Sequence, residues 1–276
     1  MATKSLSRRL SRRVGISSYF MSKRLSQSVV RAVSILELLD KKGELGVTEI
    51  SKELQLDKST AFRLVSTLKA CRFLVKDPSN SKYSNGYRLF ELGQNVRHHR
   101  DLIAKAYPYM QTIFAKTGET VNFVVPEDVD VVFLEKIETE DILKVSHSIG
   151  ERRPMYCTAV GKAILAHMDE KKLDESINTF EFIKFTDTTI ANKDALIREL
   201  ETIRTSGYAV DNYEHSPYIR CVAAPLLNSR NEPVAAMSIS LPIFKIKNNP
   251  EMFAHCAAVL TEACRELSRK ELGHSL

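Results

Sequence analysis

The sequence predicts an α+β protein in two parts: an N-terminal winged helix-turn-helix domain and a C-terminal α/β domain, with a linker helix between them. Three observations point there. Residues 47–69 read as two short helices around a tight turn. Charge is divided along the chain: residues 1–100 carry 20 Lys+Arg against 8 Asp+Glu, and residues 101–276 carry 20 against 26. Beyond residue 119, strand-like and helical runs alternate without a glycine-rich phosphate loop. A basic first part is the footprint of a polyanion binder, and an acidic remainder suits a domain that avoids nucleic acid.

Composition excludes other classes. The 276 residues are 43% hydrophobic with a mean hydropathy of −0.20, ordinary for soluble globular domains. The longest apolar runs fall far short of the ~20 residues that span a bilayer, so no membrane partner is expected and the location reads as cytoplasmic. Five cysteines, at 71, 157, 221, 256 and 264, show no C-x-x-C pair and no regular spacing. They read as reduced thiols, with neither a disulfide framework nor a metal site, and no cofactor is expected.

Residues 1–25 read as a basic, disordered tail, with Lys4, Arg8, Arg9, Arg12, Arg13, Lys23 and Arg24 among serines and no acid. The composition also resembles a transit peptide, and Met21 offers an alternative start, so this stretch is left out of fold reasoning.

The winged-helix domain is expected over 26–90. Its first helix follows Ser26, with Val29, Val33, Leu36 and Leu39 as a stripe beside Ile35 and Leu38, and ends near Lys41-Lys42-Gly43. The second helix is expected to start from Thr48 as N-cap, and the third from Asp57. Leu54 and Leu56 close the core between them. At 100° per residue Ala61, Leu64, Val65 and Leu68 form one stripe of the third helix, which leaves Ser59, Phe62, Arg63 and Ser66 outward, flanked by Lys58, Thr60 and Thr67. Hydroxyls with a guanidinium on a free face are the groups that reach phosphates and base edges when a helix enters the major groove. An ordinary helical hairpin is the plainer reading of the same pattern. Runs 73–76 and 83–89, split by Asp77-Pro-Ser-Asn80, read as a hairpin wing, with Lys76, Lys82 and Arg88 placing charge beside the groove.

Residues 91–118 read as the linker helix, interrupted at Pro108, with Arg97-His-His-Arg100 as a solvated face. The last domain is expected over 119–276. Strands are expected at 121–125, 131–137, 142–148, 208–211, 221–227 and 234–241, and helices at 159–166, 169–178, 193–206 and 251–270.

Five motifs in order, Arg31-Ala-x-x-Ile-Leu36, Lys58-Ser-Thr-x-x-Arg-Leu64, Thr158-Ala-x-Gly-Lys162, Gly207-Tyr208 and Cys221-Val-Ala-Ala-Pro225, resemble the IclR family of bacterial transcriptional regulators from Ser26 to the C-terminal helix. Segments 148–162 and 89–93 look closest to the branch typified by the 2-keto-3-deoxygluconate regulator. The resemblance implies a GAF-like effector-binding domain, a linker helix for dimerisation and control of a pseudo-palindromic duplex DNA operator by a small carboxylate or sugar acid. It implies repression rather than activation, and a homodimer, with tetramers left open. It also implies pocket positions Ile142, Ala159, Val160, Ile219, Cys221, Ser238 and Ser240. Chemistry agrees in two places: amides of Val160 and Gly161 at a helix start suit a carboxylate, and Ser238 and Ser240 share a sheet face. Where the family has two acids and then a glycine, this chain has Glu214-His215 and Tyr218-Ile219-Arg220, with Arg220 expected to point away from Cys221. Two other functions compete: a thiol hydrolase using Cys221, His215 and Asp211, and a DNA-binding protein without a ligand. The catalytic reading lacks an oxyanion loop and gives the basic domain no role, so no catalytic residue is assigned.

Overall fold

A computed structural model describes residues 25–94, 100–142 and 144–275. The chain divides into two compact units, one up to residue 98 and one from residue 99 onward.

In the first unit, α1 (Gln27–Lys42), α2 (Val47–Glu53) and α3 (Lys58–Ala70) precede a two-stranded antiparallel wing, β1 (Leu74–Lys76) and β2 (Tyr83–Asn85), and a short helix, α4 (Arg88–Gln94). Ile35, Leu39, Ile50, Val65, Leu68, Leu74 and Tyr83 form its core. The helix-turn-helix expectation holds, and Gln55 takes a positive φ of 53° in the tight turn. Several details differ. Val29 and Val33 are 61% and 41% exposed, because α1 is apolar on opposite faces and packing selects the one bearing Ile35 and Leu39. Gly46, not Thr48, caps α2, and the Glu49 carboxylate accepts from the Gly46 amide at 2.7 Å. The second wing strand stops at Asn85, so Arg88 sits in the first turn of α4, paired with Glu91 at 2.6 Å, instead of on the wing. Gly86 is needed there, since a Cβ would lie 2.5 Å from the Arg72 carbonyl oxygen.

In the second unit, α5 (Arg100–Thr117) leads into β3 (Thr120–Glu127) and β4 (Asp130–Ile137). Then come β5 (Arg152–Pro154), a 3-10 turn at Met155–Cys157, α6 (Ala159–Leu165), α7 (Glu170–Ile177) and α8 (Lys193–Ser206). The chain closes with β6 (Ala209–Asn212), β7 (Ile219–Leu227), β8 (Pro233–Pro242), α9 (Ile243–Asn248) and α10 (Glu251–Glu271). The sheet runs β5-β4-β3-β8-β7-β6, antiparallel throughout. Strand alternation divides its faces. Val121, Phe123, Met237 and Ile239 meet Ala106, Met110 and Ile113 of α5 and Leu260 and Leu267 of α10, whereas Val124, Ala223 and Ala236 meet α6, α7 and α8.

The linker helix therefore belongs, from Arg100 onward, to the core of the second unit. It also continues through Pro108. Pro108 and Ala104, whose carbonyl loses its partner, lie on the exposed side, while Ala106, Met110 and Ile113 are buried and hold the helix on the sheet. The expected strand at 142–148 is absent at Ile142 and from 144 to 148. Exposed Lys144, Ser146 and Ser148 imitate strand alternation, but the edge of β4 is taken by β5, which sequence analysis missed along with α9. The basic tail through residue 24 and residues 97–99 of the Arg-His-His-Arg run lie outside the described residues.

Candidate functional site

The first candidate surface is the outer face of α3. Asp57 caps it as expected, accepting from the Thr60 amide at 2.8 Å and the Ser59 hydroxyl at 2.6 Å. These bonds to the charged form hold its carboxyl well below the usual range, so the cap stays ionised. Ala61, Val65 and Leu68 are buried. Lys58, Ser59, Phe62, Arg63, Ser66 and Thr67 are exposed, Phe62 at 59%, and Thr60 is half-buried at the helix start. Not every hydroxyl is equally placed: Ser59 gives its proton to Asp57, and Thr67 gives its own to the Arg63 carbonyl at 2.9 Å. Lys58 and Arg63 are cationic donors on this face, with Lys69 in its last turn. On the wing, Lys82 is half-buried before β2, and Lys76 lies 5.8 Å over the Tyr83 ring.

The second is a pocket on the α6 face of the sheet, about 40 Å³ in volume. Phe133, His147, Arg153, Thr158, Ala159, Val160, Asp211, His215, Ser216, Ile219, Cys221, Ser238 and Ser240 line it. Cross-strand register explains the gathering. Asp211 pairs with Cys221, Cys221 with Ser240 and Ser238 with Asn122, so all project from one face. The Asn122 amide donates to Ser240 at 3.2 Å and Ser238 at 3.5 Å.

Of the expected pocket residues, Ala159, Val160, Ile219, Cys221, Ser238 and Ser240 come together. Ile142 does not: it is 99% exposed and outside any strand. Gly161 does not line the pocket either. Its amide is already capped by the Thr158 hydroxyl at 3.3 Å, and a Cβ there would lie 2.2 Å from the Met155 Cα, so glycine serves a close backbone approach. Arg220 points to the opposite sheet face, as alternation requires, 3.9 Å over the Phe253 ring.

Sequence reasoning missed Phe133, His147, Arg153 and Asn122 as site residues. It also gave Lys162 no role. The Lys162 side chain is 1% exposed; its ammonium pairs with Glu214 and, at 3.1 Å, with Glu199, tying α6 to α8 and to the loop after β6. Burial raises the Glu214 carboxyl despite that lysine. Burial, then the charge of Glu214, pushes Asp211 up to about 7. Burial and the Arg153 charge press His215 down to about 4, while burial and Asp211 raise Cys221 to about 12.

These shifts bear on the hydrolase alternative. Cys221, His215 and Asp211 do share the pocket, but the thiol is strongly protonated and donates to Ser240 at 3.4 Å. His215 places Nε2 3.4 Å from Arg153 Nη1 and packs on Phe185. An activated dyad needs the reverse, a depressed thiol beside a basic imidazole.

A winged helix-turn-helix with an exposed cationic recognition face, followed by a sensor-like α/β domain with a polar pocket, defines the class of DNA-binding transcriptional regulators. Residues 28–78 match the IclR helix-turn-helix domain, and residues 94–269 match the C-terminal domain of the bacterial transcriptional regulator IclR. The chain belongs to the IclR family. It is 32% identical over 241 residues to the HTH-type transcriptional regulator KdgR of Escherichia coli strain K12, covering 87% of this chain and 91% of that one. It is 30% identical over 244 residues to the E. coli transcriptional repressor AllR, covering 88% and 89%. The crystal structure of Thermotoga maritima IclR superposes with a TM-score of 0.75 at 33% identity, covering 90% and 99%.

Proposed function

We propose that this regulator is a repressor whose α3 enters the major groove of a pseudo-palindromic operator, and that a small carboxylate or sugar acid in the sheet pocket controls that binding. The exposed face of Lys58, Ser59, Phe62, Arg63, Ser66 and Thr67, opposite a buried Ala61-Val65-Leu68 stripe, carries the reading. Lys58 and Arg63 meet phosphates, and the Phe62 ring meets an apolar base edge such as a thymine methyl. Lys82 contacts backbone beside the groove. The regulator acts as a homodimer, placing two recognition helices one helical turn, about 34 Å, apart, and ligand occupancy shifts the separation of the two heads.

The regulator is not an enzyme in this reading; the elevated Cys221 thiol supports that. We place it in the cytoplasm with the transcriptional regulators it resembles; among the described residues no helix is long and apolar enough to cross a membrane. A thermal-shift screen of the full chain against small carboxylates and sugar acids tests the sensing half. A rise with ligand concentration is expected, and flat melting curves throughout would favour a DNA-binding protein without a ligand.

A further inference from the structure

The polar groups of the pocket are ordered across the sheet. Arg153 enters from β5 at one edge and Asp211 from β6 at the other, with Ser238 and Ser240 of β8 and Cys221 of β7 between them; Asn122 of β3 bonds both serines without lining the pocket itself. Arg153 Nη1 also approaches Nε2 of His215, in the loop after β6, at 3.4 Å.

The Arg153 end is a built anion point. The guanidinium is held in place by Glu151, which also accepts from the Ser148 amide at 2.9 Å. One of its donors, Nε, is buried with no hydrogen-bond partner. His147, stacked on Phe133 at 4.2 Å, and His215 stand beside it, both made less basic by burial, so the positive charge at this end is that of Arg153. The middle of the pocket suits hydroxyls. Ser238 and Ser240 accept from the Asn122 amide and keep their own protons to donate.

We propose that Arg153 anchors the effector carboxylate, and that a hydroxylated carbon chain extends from it toward Ser238 and Ser240. The proposal rests on reading the pocket as an effector site. It moves the acid group away from the start of α6, where Thr158 already caps the Gly161 amide. Asp211 at the far edge, with Glu214 behind it, disfavours a second acid group there. The nearby cation, Lys162, has its ammonium taken by two carboxylates, Glu214 and Glu199, whereas Arg153 meets one, Glu151, and keeps Nε without a partner. The preferred class is therefore a hydroxy acid with one terminal carboxylate, not a diacid. Because 40 Å³ is well below the ~300 Å³ of an ordinary small-molecule pocket, binding must widen it, and the Arg153–His215 contact between two lining residues is where we place the opening.

Isothermal titration of the full chain tests this with four probes: gluconate, sorbitol as the same hydroxylated chain without the acid, butyrate as an acid without hydroxyls, and glucarate as the diacid. Gluconate should bind at least tenfold more tightly than the other three. Arg153→Gln should weaken gluconate by about tenfold or more, the loss expected for a charge-assisted hydrogen bond. Arg153→Lys should lose less, because it keeps the charge without the planar fork. Melting of the unliganded variants checks that they fold. Equal gluconate affinity in Arg153→Gln and the natural chain overturns the anchor and leaves the effector reading standing. Glucarate binding as tightly as gluconate overturns the orientation. If none of the acids binds the natural chain, the effector reading itself fails and the anchor with it.

Discussion

Lys162→Met removes the cation beneath the pocket and leaves two carboxylates facing its place. The Lys162 side chain is 1% exposed and that of Glu214 is 5% exposed, so little water can take over the lost charge. Breaking one side of a buried pair costs about 3–5 kcal/mol. In a unit of this size each kcal/mol moves the melting point by about 2–4 °C, so the second unit should melt on the order of 10 °C lower. The deficit should depend on pH. Burial already raises Glu214 in the folded chain, with Lys162 opposing that rise, so the variant raises it further. A carboxyl raised on folding contributes stability that is present below its unfolded pKa and lost as pH rises through its folded pKa. The gap between variant and natural chain should therefore be smallest near pH 4 and widen toward pH 8, as followed by circular dichroism melting. Adding Glu214→Leu should recover much of the loss. A drop of under about 2 °C with no pH dependence would refute the structural role. It would leave Lys162 free to serve a ligand.

Other outcomes follow from the same geometry. Asp211, raised to about 7 by burial and then by Glu214, contributes stability that fades between about pH 4 and pH 7, so Asp211→Asn should flatten the melting profile across that window and stabilise the unit at pH 8. Asp57→Ala should lower the melting point of the first unit by removing the cap on the Thr60 amide, while Asp57→Ser, another capping residue, should restore most of it; equal melting in both would discount the cap. Arg63→Ala should weaken operator binding and reduce the slope of log affinity against log salt by about 2 in a dimer, near 0.9 for each phosphate contact. A weakened complex with an unchanged slope would assign Arg63 to a base edge instead.

The N-terminal unit was legible because its signals are local. Asp57 before a 3.6-residue apolar stripe gives cap, helix and outer face together, and turn residues after Lys76 give the wing. Faces are less legible where a helix is apolar on opposite sides: Val29 and Val33 read as core, and only packing shows that Ile35 and Leu39 are chosen. The pocket was half legible. Ser238, Ser240 and Cys221 share a face by strand alternation, but Arg153 reaches them only through the pairing of β5 with β4, at Arg153 opposite Val131, which no local periodicity encodes. Ile142 failed for the complementary reason. Its segment alternates like a strand, yet β5 takes the edge it would need. Lys162 gave no sign of its role because a buried lysine is explained only by Glu199 and Glu214, which lie 37 and 52 residues downstream.

The central claim is that one face of α3 reads DNA under the control of an acid held in the sheet pocket. Fluorescence anisotropy of the full chain on promoter duplexes, against excess competitor DNA at moderate salt, with and without gluconate, checks both halves of that reading. The account predicts selective binding of the promoter and a change in affinity that saturates with gluconate. Equal affinity for promoter and competitor under both conditions would contradict it.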